Sequence, residues 1–531
     1  MLKRKLNQIS NWLSKNEKLI FFLVVVVFAL EFFCAKYFVT GDGTAHLYNA
    51  NIISHFILGT EGNLADYYEL NTFPVPNWSG HFILAILNLF LPVYLVEKVF
   101  LTILFVSFVY SFRFFLKSFD TTSGFFSLVA IPFALSVFIY LGFYNFMLAF
   151  LFMFIAVGFY IRNHNQMNTL RTIYLMLFLI LIYFSHLSIL VFTIGFLFAY
   201  LGWAKLISKD KLKNKLFQFF RQAIPILIAA LPTVILVYFY QIHHGTSEHF
   251  SYLSTDQLYQ MILDLSPLVG HGPAEHFYTH IYLIILGLIF VFILFSRIFL
   301  EKTNAKILLI NLKEADVLWL LAAVLLIGYF YIPDGDAKGG FVSIRILFLF
   351  YLVIVARLFL YRFAKSIKVL SVMSILFLFF FQLQIRRQGQ QAMSLWAHEI
   401  VEASKKIEPY SVVLPVYCNS HWQGVNLVSY LGAKKPMVLL MNYEANQVFF
   451  PIKWKQEQPI HHTNSTHPNV FCEDYFVKFS TMNTLPDYIF FYGYHEINLP
   501  ENCAEQNNFV RLKEYKVILS NDFCNLYELL K

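Results

Sequence analysis

The sequence predicts a polytopic α-helical membrane protein of about 11 spans, at most about 13, with a small extracytoplasmic α/β domain at its C-terminus. Of its 531 residues, 58% are hydrophobic and only 14% are charged, whereas soluble domains carry about a quarter charged residues. Several apolar runs reach the roughly 20 residues that cross a bilayer. These runs are too long and too continuously apolar to be the strands of a membrane barrel.

The apolar runs define the spans in order. Residues 18–38 are predicted to form a retained anchor, because no small-x-small cleavage site follows them. Pro92 and Glu97-Lys98 interrupt the second run, which predicts either a short helix plus a span or two spans. The full set is 18–38, 80–112, 122–139, 146–161, 172–184, 187–204, 222–241, 280–300, 314–332, 341–359 and 369–386.

Lysine and arginine occur in alternate loops, which predicts the topology by the positive-inside rule. The loops that alternate with the basic ones carry a single lysine, Lys338. The N-terminus is therefore predicted to be cytoplasmic, and the chain after about residue 387 extracytoplasmic. The net charge of +8 reflects this topology rather than nucleic-acid binding. The aromatic, Lys- and Asn-rich composition is typical of a bacterial inner-membrane protein.

The last part of the chain is predicted to be a separate domain, with residues 1–390 in the membrane domain and 391–531 outside it. Short β-branched and aromatic runs bounded by turn residues predict strands. They are SVVLPVY, PMVLLMN, DYIFFYG and YKVILS. The 3.6-residue spacing of SLWAHEIVEASKKI predicts an amphipathic helix.

Four of the five cysteines lie in this tail: Cys418, Cys472, Cys503 and Cys524. An oxidising compartment favours two disulfides among them, in any of three pairings. Four free thiols are the alternative. A zinc site is disfavoured because no C-x₂-C spacing occurs.

The segment Gly41-Asp42-Gly43 leaves the first span on the outer side. Asp-Gly is a common turn signal. However, His46 and Asn49 would project from the same side of a following helix, and Asn77 and Trp78 return the chain to the membrane. A carboxylate at this boundary can act as general base toward an acceptor, while a lipid-linked donor stays in the bilayer.

A second candidate site is the outer turn PDGDAKGGFVSIR. Arg345 lies about one turn inside the predicted membrane edge, where a charge usually marks function or a paired partner. Together with Lys338 it could bind a phosphate or diphosphate head group. The alternative is that Arg345 reaches the surface or pairs with Asp334 or Asp336.

Histidines concentrate in the outer loop 242–279 and its edge. We interpret them as substrate contacts, with a divalent metal as the alternative; only His276 and His280 have the i, i+4 spacing of helical ligands. Further candidate substrate contacts are His186, at a helix break, and Asn145, in an outer turn. The loop histidines are His243, His244, His249, His271, His276 and His280.

Together these features resemble the GT-C superfamily of membrane glycosyltransferases, particularly the protein O-mannosyltransferases and aminoarabinose transferases. In that family the catalytic aspartate lies in the first outer loop, a position that Asp42 occupies here. The stretch FPVPNWSGHFILAILNLF is similar to the family's proline-bearing return to the membrane. The resemblance implies that Arg345 holds the lipid phosphate. The W-W-D motif of oligosaccharyltransferases is missing from the tail.

The resemblance implies an enzyme that moves a sugar from a polyprenyl-phosphate-linked donor to a lipid, glycan or protein acceptor at the outer face, without a required cofactor. A transporter or flippase of a lipid-linked sugar is the alternative, although such folds show inverted repeats and midplane sites, and no internal repeat is evident. A membrane anchor that displays the tail is a third interpretation, but it leaves Asp42 and Arg345 unexplained.

Overall fold

The computed structural model describes residues 15–244, 249–295, 312–336, 339–361, 365–419, 421–463, 484–493 and 510–530. The chain divides into two compact units. Unit 1 comprises Met1–Glu31, Ile103–Ile139 and Phe146–Arg386, and unit 2 comprises Phe32–Thr102, Tyr140–Asn145 and Arg387–Lys531. The predicted domain boundary at 390/391 stays a prediction.

Helices dominate the part of the chain that the structure describes. They are α1 (Glu17–Ala29), α2 (Gly43–Leu58), α3 (Leu64–Tyr67), α4 (Trp78–Phe90), α5 (Val93–Phe119), α6 (Ile131–Ala134), α7 (Val137–Leu141), α8 (Tyr144–Asn163), α9 (Thr169–Ser185), α10 (Leu187–Ile207), α11 (Leu212–His244), α12 (Thr255–Leu263), α13 (His276–Phe295), α14 (Val317–Tyr331), α15 (Val342–Leu360) and α16 (Lys365–Ser404). Among the described residues, eight helices are long and apolar enough to cross a membrane, and three apolar helices are shorter. The prediction of a polytopic helical membrane protein is therefore confirmed.

The predicted spans differ from the helices mainly where the sequence carries breakers. Pro92 separates α4 from α5, because the residue before a proline avoids the helical region, and Leu91 is extended at φ −110° and ψ 148°. The break predicted at Ser185-His186 separates α9 from α10. By contrast, α16 has no internal breaker strong enough to end it, and it includes both the last predicted span and most of the predicted amphipathic helix.

Two buried arginines of unit 1 are each paired with a carboxylate. Arg357 and Asp316 form a buried ion pair. Glu275 accepts from Arg386 Nε at 2.7 Å and from Gln382 Nε2 at 2.6 Å. Both pairs follow the rule that a charge removed from water needs a partner of opposite sign.

Unit 2 contains a five-stranded mixed sheet in the order β5-β4-β7-β9-β8. Strands β5 and β4 are parallel to β7, and β9 and β8 complete the sheet with antiparallel pairings. All four strands predicted from the sequence are present, and β9 was missed. The five are β4 (Val412–Tyr417), β5 (Val438–Leu439), β7 (Tyr488–Tyr492), β8 (Tyr515–Ser520) and β9 (Cys524–Leu529).

Each unit also contains a smaller two-stranded ladder, which joins two loops of that unit. In unit 2, β1 (Tyr68–Leu70) from the segment between α3 and α4 pairs antiparallel with β6 (Ile452–Trp454) from the tail. In unit 1, β2 (Phe250–Ser251) pairs with β3 (Gly335–Asp336). The second ladder brings together loop 242–279 and the turn that precedes Arg345.

The disulfide prediction is wrong for Cys418 and Cys524, which are buried free thiols. Cys524 pairs with Tyr492 in the β7–β9 ladder, and the Cys418 amide donates to the Tyr492 carbonyl from the other side of β7. The two cysteines are thus separated by two strand spacings, about 9.6 Å, beyond the roughly 7 Å limit between bridged Cα atoms. Cys472 and Cys503 lie outside the described residues.

Candidate active site

Asp42 lies in a short segment of unit 2 that backbone hydrogen bonds fix to a neighbouring turn. The amides of Gly41 and Asp42 donate to the carbonyls of Tyr140 and Leu141, at 2.8 and 2.9 Å. The side chain of Asp42 is partly exposed, and its Oδ1 accepts from Asn426 Nδ2 at 3.0 Å. The carboxylate is therefore oriented by the tail while part of it remains accessible.

The surroundings of Asp42 shift its acidity toward neutrality. Burial raises its pKa to about 6; the His46 imidazolium opposes this shift and the Glu444 carboxylate adds to it. Burial and the Asp42 charge also raise the pKa of the Tyr443 hydroxyl well above its usual value, so this hydroxyl stays protonated. A carboxylate of this acidity is ionised above pH 6 and still basic enough to accept a proton in catalysis.

Position 43 requires glycine because neighbouring side-chain atoms lie very close to its Cα atom, and not because of its backbone conformation. A Cβ atom at this position would overlap the Tyr144 hydroxyl and Thr40 Oγ1. The Gly43 amide donates to Thr40 Oγ1 at 3.1 Å, and Thr40 Oγ1 is 2.8 Å from the Tyr144 hydroxyl. This contact holds the start of α2, and with it Asp42, against the first residue of α8.

Two histidines lie on either side of Glu444, a tail residue. His46 Nδ1 is 2.6 Å from Glu444 Oε1, and His81 Nε2 is 2.7 Å from Oε2. All three side chains are buried. Burial favours the uncharged forms, but it is outweighed: the histidines lower the pKa of Glu444 to about 2, and Glu444 raises the pKa of His46.

The hydrogen-bond pattern of the two histidines is consistent with two protonation states, one of which would allow a metal ion to bind. The second ring nitrogen of each faces a backbone carbonyl: His46 Nε2 is 3.0 Å from Gly142 O, and His81 Nδ1 is 2.9 Å from Asn77 O. With protons on all four nitrogens, both rings are imidazoliums that neutralise Glu444 and Asp42. With the carbonyl-facing protons alone, the two lone pairs toward Glu444 could ligate a divalent metal.

Glu97 is a second buried carboxylate of unit 2. It accepts from the Tyr144 hydroxyl at 2.9 Å and from the Tyr430 hydroxyl. Tyr144 in turn contacts Thr40. The network therefore connects Glu97 to the segment that carries Asp42, and we assign Glu97 a positioning role.

Asn49 lies one helical turn beyond His46, and its side chain is fully buried. Its amide donates to Asn442 Oδ1 at 3.1 Å and accepts from Asn442 Nδ2 at 2.8 Å. This reciprocal pair joins α2 to the tail. A substrate-binding role for Asn49 stays a prediction.

Asn77, Trp78 and Asn145 lie where the first outer loop returns to α4. Asn77 has φ 66° and caps α4, of which the half-buried Trp78 is the first residue. Asn145 Oδ1 accepts from the Gly80 amide at 2.7 Å, and its Nδ2 donates to Asn77 O at 3.1 Å. These contacts fix the start of α4 and hence the position of His81, and substrate binding by the three residues stays a prediction.

In unit 1, Arg345 and His186 both contact Phe146. The Arg345 guanidinium lies 5.6 Å from the ring centroid of Phe146, and the His186 ring lies 5.1 Å from it. Burial, with the Arg345 charge as a second cause, lowers the pKa of His186 well below its usual value. His186 is therefore neutral, and its Nδ1 is 2.9 Å from Ser188 Oγ.

Three further predicted substrate contacts are His243, His244 and Lys338. His243 is exposed in the last turn of α11, and His244 is the final residue of that helix. Lys338 lies outside the described residues. Their predicted roles in substrate binding stay predictions.

The sequence did not predict that Glu444 and His81 join His46 in the buried group beside Asp42. His81 lies in an apolar run, and Glu444 lies in a short 3₁₀ turn of the tail. Glu97 was noticed only as an interruption of the second hydrophobic run. A charged residue inside such a run was the one usable signal.

Comparison with known proteins identifies the fold. No family model matches the sequence, and no curated protein matches it. Among solved structures, the chain is similar to ArnT from Cupriavidus metallidurans bound to undecaprenyl phosphate, with a TM-score of 0.57 and 10% sequence identity. The alignment covers 96% of this chain and 98% of that chain. In fold, the chain is therefore similar to ArnT, a GT-C glycosyltransferase, which confirms the predicted resemblance at the level of fold.

Proposed function

We propose that this protein is a membrane glycosyltransferase that moves a sugar from a polyprenyl-phosphate-linked donor to an acceptor at the outer face of the membrane. The observation that carries the proposal is Asp42: a partly exposed carboxylate with a pKa of about 6, in the first outer loop of an ArnT-like fold. ArnT itself was crystallised with undecaprenyl phosphate. That ligand supports a polyprenyl phosphate as the donor carrier here.

The proposed reaction is a direct displacement with inversion at the sugar. Asp42 accepts the proton of an acceptor hydroxyl as the hydroxyl oxygen forms a bond to C1 of the sugar. The bond between C1 and the phosphate oxygen breaks, and its electron pair leaves with the polyprenyl phosphate. Asn426 keeps the Asp42 carboxylate oriented through its 3.0 Å hydrogen bond.

Arg345 is the proposed ligand for the phosphate that leaves. Its planar guanidinium offers several donors to phosphate oxygens, and its stacking over Phe146 fixes the direction in which it points. The neutral His186 nearby adds no positive charge, but a ring nitrogen of its side chain can form a hydrogen bond with the sugar or the phosphate. Lys338, from the adjoining outer turn, is proposed to add a second cation.

The proposal is tested with purified protein and a polyprenyl-phosphate-linked sugar, by measuring released polyprenyl phosphate. Asp42→Asn should lower the rate by at least about a hundredfold, the usual contribution of a general base. Asp66→Asn, an exposed acid in the same outer loop, is the matched control and should leave the rate unchanged. Full activity in Asp42→Asn would contradict the mechanism.

The same assay separates the enzyme from a transporter. A flippase moves the lipid-linked sugar without breaking its bond to phosphate, so it releases no polyprenyl phosphate. Transfer of intact donor across vesicles, with no cleavage by the wild-type chain, would favour the transporter.

A further inference from the structure

A second cluster of ionisable side chains lies in unit 1. Asp264 is buried at the end of α12, and its Oδ1 lies 3.2 Å from His276 Nδ1 and 3.1 Å from His280 Nε2. The two histidines are four residues apart in the first turns of α13, so they share one face of the helix. Three potential ligand atoms thus converge on one point.

The carboxylate of this cluster is oriented as metal-ligating carboxylates are. Gln260 Nε2 donates to Asp264 Oδ2 at 2.8 Å, which leaves Oδ1 toward the histidines. Outer partners of this kind fix the direction of a ligand and support its negative charge.

We propose that Asp264, His276 and His280 bind a zinc ion or another late first-row divalent metal. Tetrahedral ligands at the usual 2.0–2.1 Å from zinc are about 3.3 Å apart, close to the 3.2 and 3.1 Å from Asp264 Oδ1 to the two histidine nitrogens, and all three ligand atoms lie within 4.8 Å of one another. Two imidazole nitrogens and one carboxylate favour zinc, nickel or copper over magnesium. Exposed fractions of 31% and 50% for the His276 and His280 side chains leave the ion open to solvent and to a fourth, water ligand.

The position of the site gives the ion a mechanical effect. It would join the end of α12 directly to the start of α13 and close the turn between them. The part of this turn next to α13 is already held, because Glu275 accepts from the amides of Gly270 and His271 and from Arg386. The bound metal therefore adds a direct link between the two ends of the turn.

The experiment is zinc binding by the full chain in detergent, purified without a polyhistidine tag and freed of metal by a chelator. Zinc is titrated against a chromophoric chelator, and cobalt absorption reports tetrahedral ligation. His276→Ala/His280→Ala should lose one equivalent of zinc and the matching cobalt band. Gln260→Ala should still bind this equivalent of zinc, but with an affinity about 10- to 100-fold lower.

Two controls keep this result separate from the buried pair His46 and His81. Glu444→Gln should still bind the equivalent of zinc that His276→Ala/His280→Ala loses. His55→Ala, which removes a histidine bonded to Thr60 rather than to an acid, should bind as the wild type does.

Unchanged stoichiometry and affinity in the double variant would overturn the proposal, as would displacement of the zinc by a modest excess of magnesium. If the double variant does not fold, His280→Gln replaces it, because that side chain is half exposed. Its zinc affinity should fall at least about tenfold, and an unchanged affinity would equally overturn the proposal. The outcome does not depend on whether the protein transfers a sugar.

Discussion

Replacing Glu444 by glutamine tests whether the two histidines around it are charged. The substitution keeps the shape of the side chain but leaves His46 and His81 facing an amide. Glu444 has its pKa lowered from 4.5 to about 2, and at about 1.4 kcal/mol per pKa unit this corresponds to about 3 kcal/mol. Breaking a buried ion pair by removing one partner costs about 3–5 kcal/mol in general, so two independent arguments give a similar magnitude.

The assay is thermal unfolding of the purified chain in detergent, followed by a probe of the tail. A loss of about 3 kcal/mol should lower the midpoint by about 6–12 °C for a unit of roughly 200 residues. The effect depends on pH. Because the folded-state pKa of Glu444 lies below its unfolded value, the stabilisation is complete above pH 4.5 and is lost as the pH falls toward 2. The difference between variant and wild type should therefore be smaller at pH 3.5 than at pH 7.

Glu69→Gln is the matched control. Glu69 pairs with Lys453 at 3.0 Å in the β1–β6 ladder of the same unit, but both side chains are 45% exposed. An exposed pair contributes less than about 1 kcal/mol, so its midpoint should barely move. Equal midpoints for Glu444→Gln and wild type at pH 7 would contradict the charged state of these three residues.

Three further outcomes follow from the site. The rate of transfer should rise with pH through about 6 as Asp42 ionises. His46→Gln should move the midpoint of this rise to higher pH, because the His46 imidazolium lowers the pKa of Asp42. A shift of the midpoint to lower pH would contradict the role of Asp42 as the base. Gly43→Ala should reduce the rate strongly, since its Cβ overlaps the Tyr144 hydroxyl, whereas Gly195→Ala, in open space, should leave the rate unchanged. Tyr144→Phe removes hydrogen bonds to two buried groups and should cost about 1–3 kcal/mol in unfolding free energy; a variant as stable as wild type in thermal unfolding would show that the network is not needed.

Topology and local pattern were sufficient to select Asp42 as the candidate base, a role that stays a prediction. The alternation of basic loops, a helix end and a glycine on each side of the acid are all local features, and they predicted its position in the first outer loop. The strands of the tail followed from composition in the same way. Strand β9 was missed because CNLYEL mixes polar and apolar residues without a clear alternation.

The tail partners of Asp42 and His46 were not predictable, because they meet α2 only in the folded chain. His46 and Glu444 are 398 residues apart, and neither lies in a motif that specifies the other. His81 has no polar neighbour in the sequence that would distinguish it from an ordinary histidine of an apolar helix. The free cysteines were mispredicted for the same reason, since only the strand order shows that β7 separates Cys418 from Cys524.

The long separation of His46 and Glu444 has a consequence for biosynthesis. At about 5–20 residues per second, the ribosome adds Glu444 about 20–80 s after His46. Until the tail has been made, the two buried histidines lack Glu444, and Asp42 lacks Asn426. A nascent chain therefore cannot complete the contacts around Asp42 until synthesis has passed Glu444.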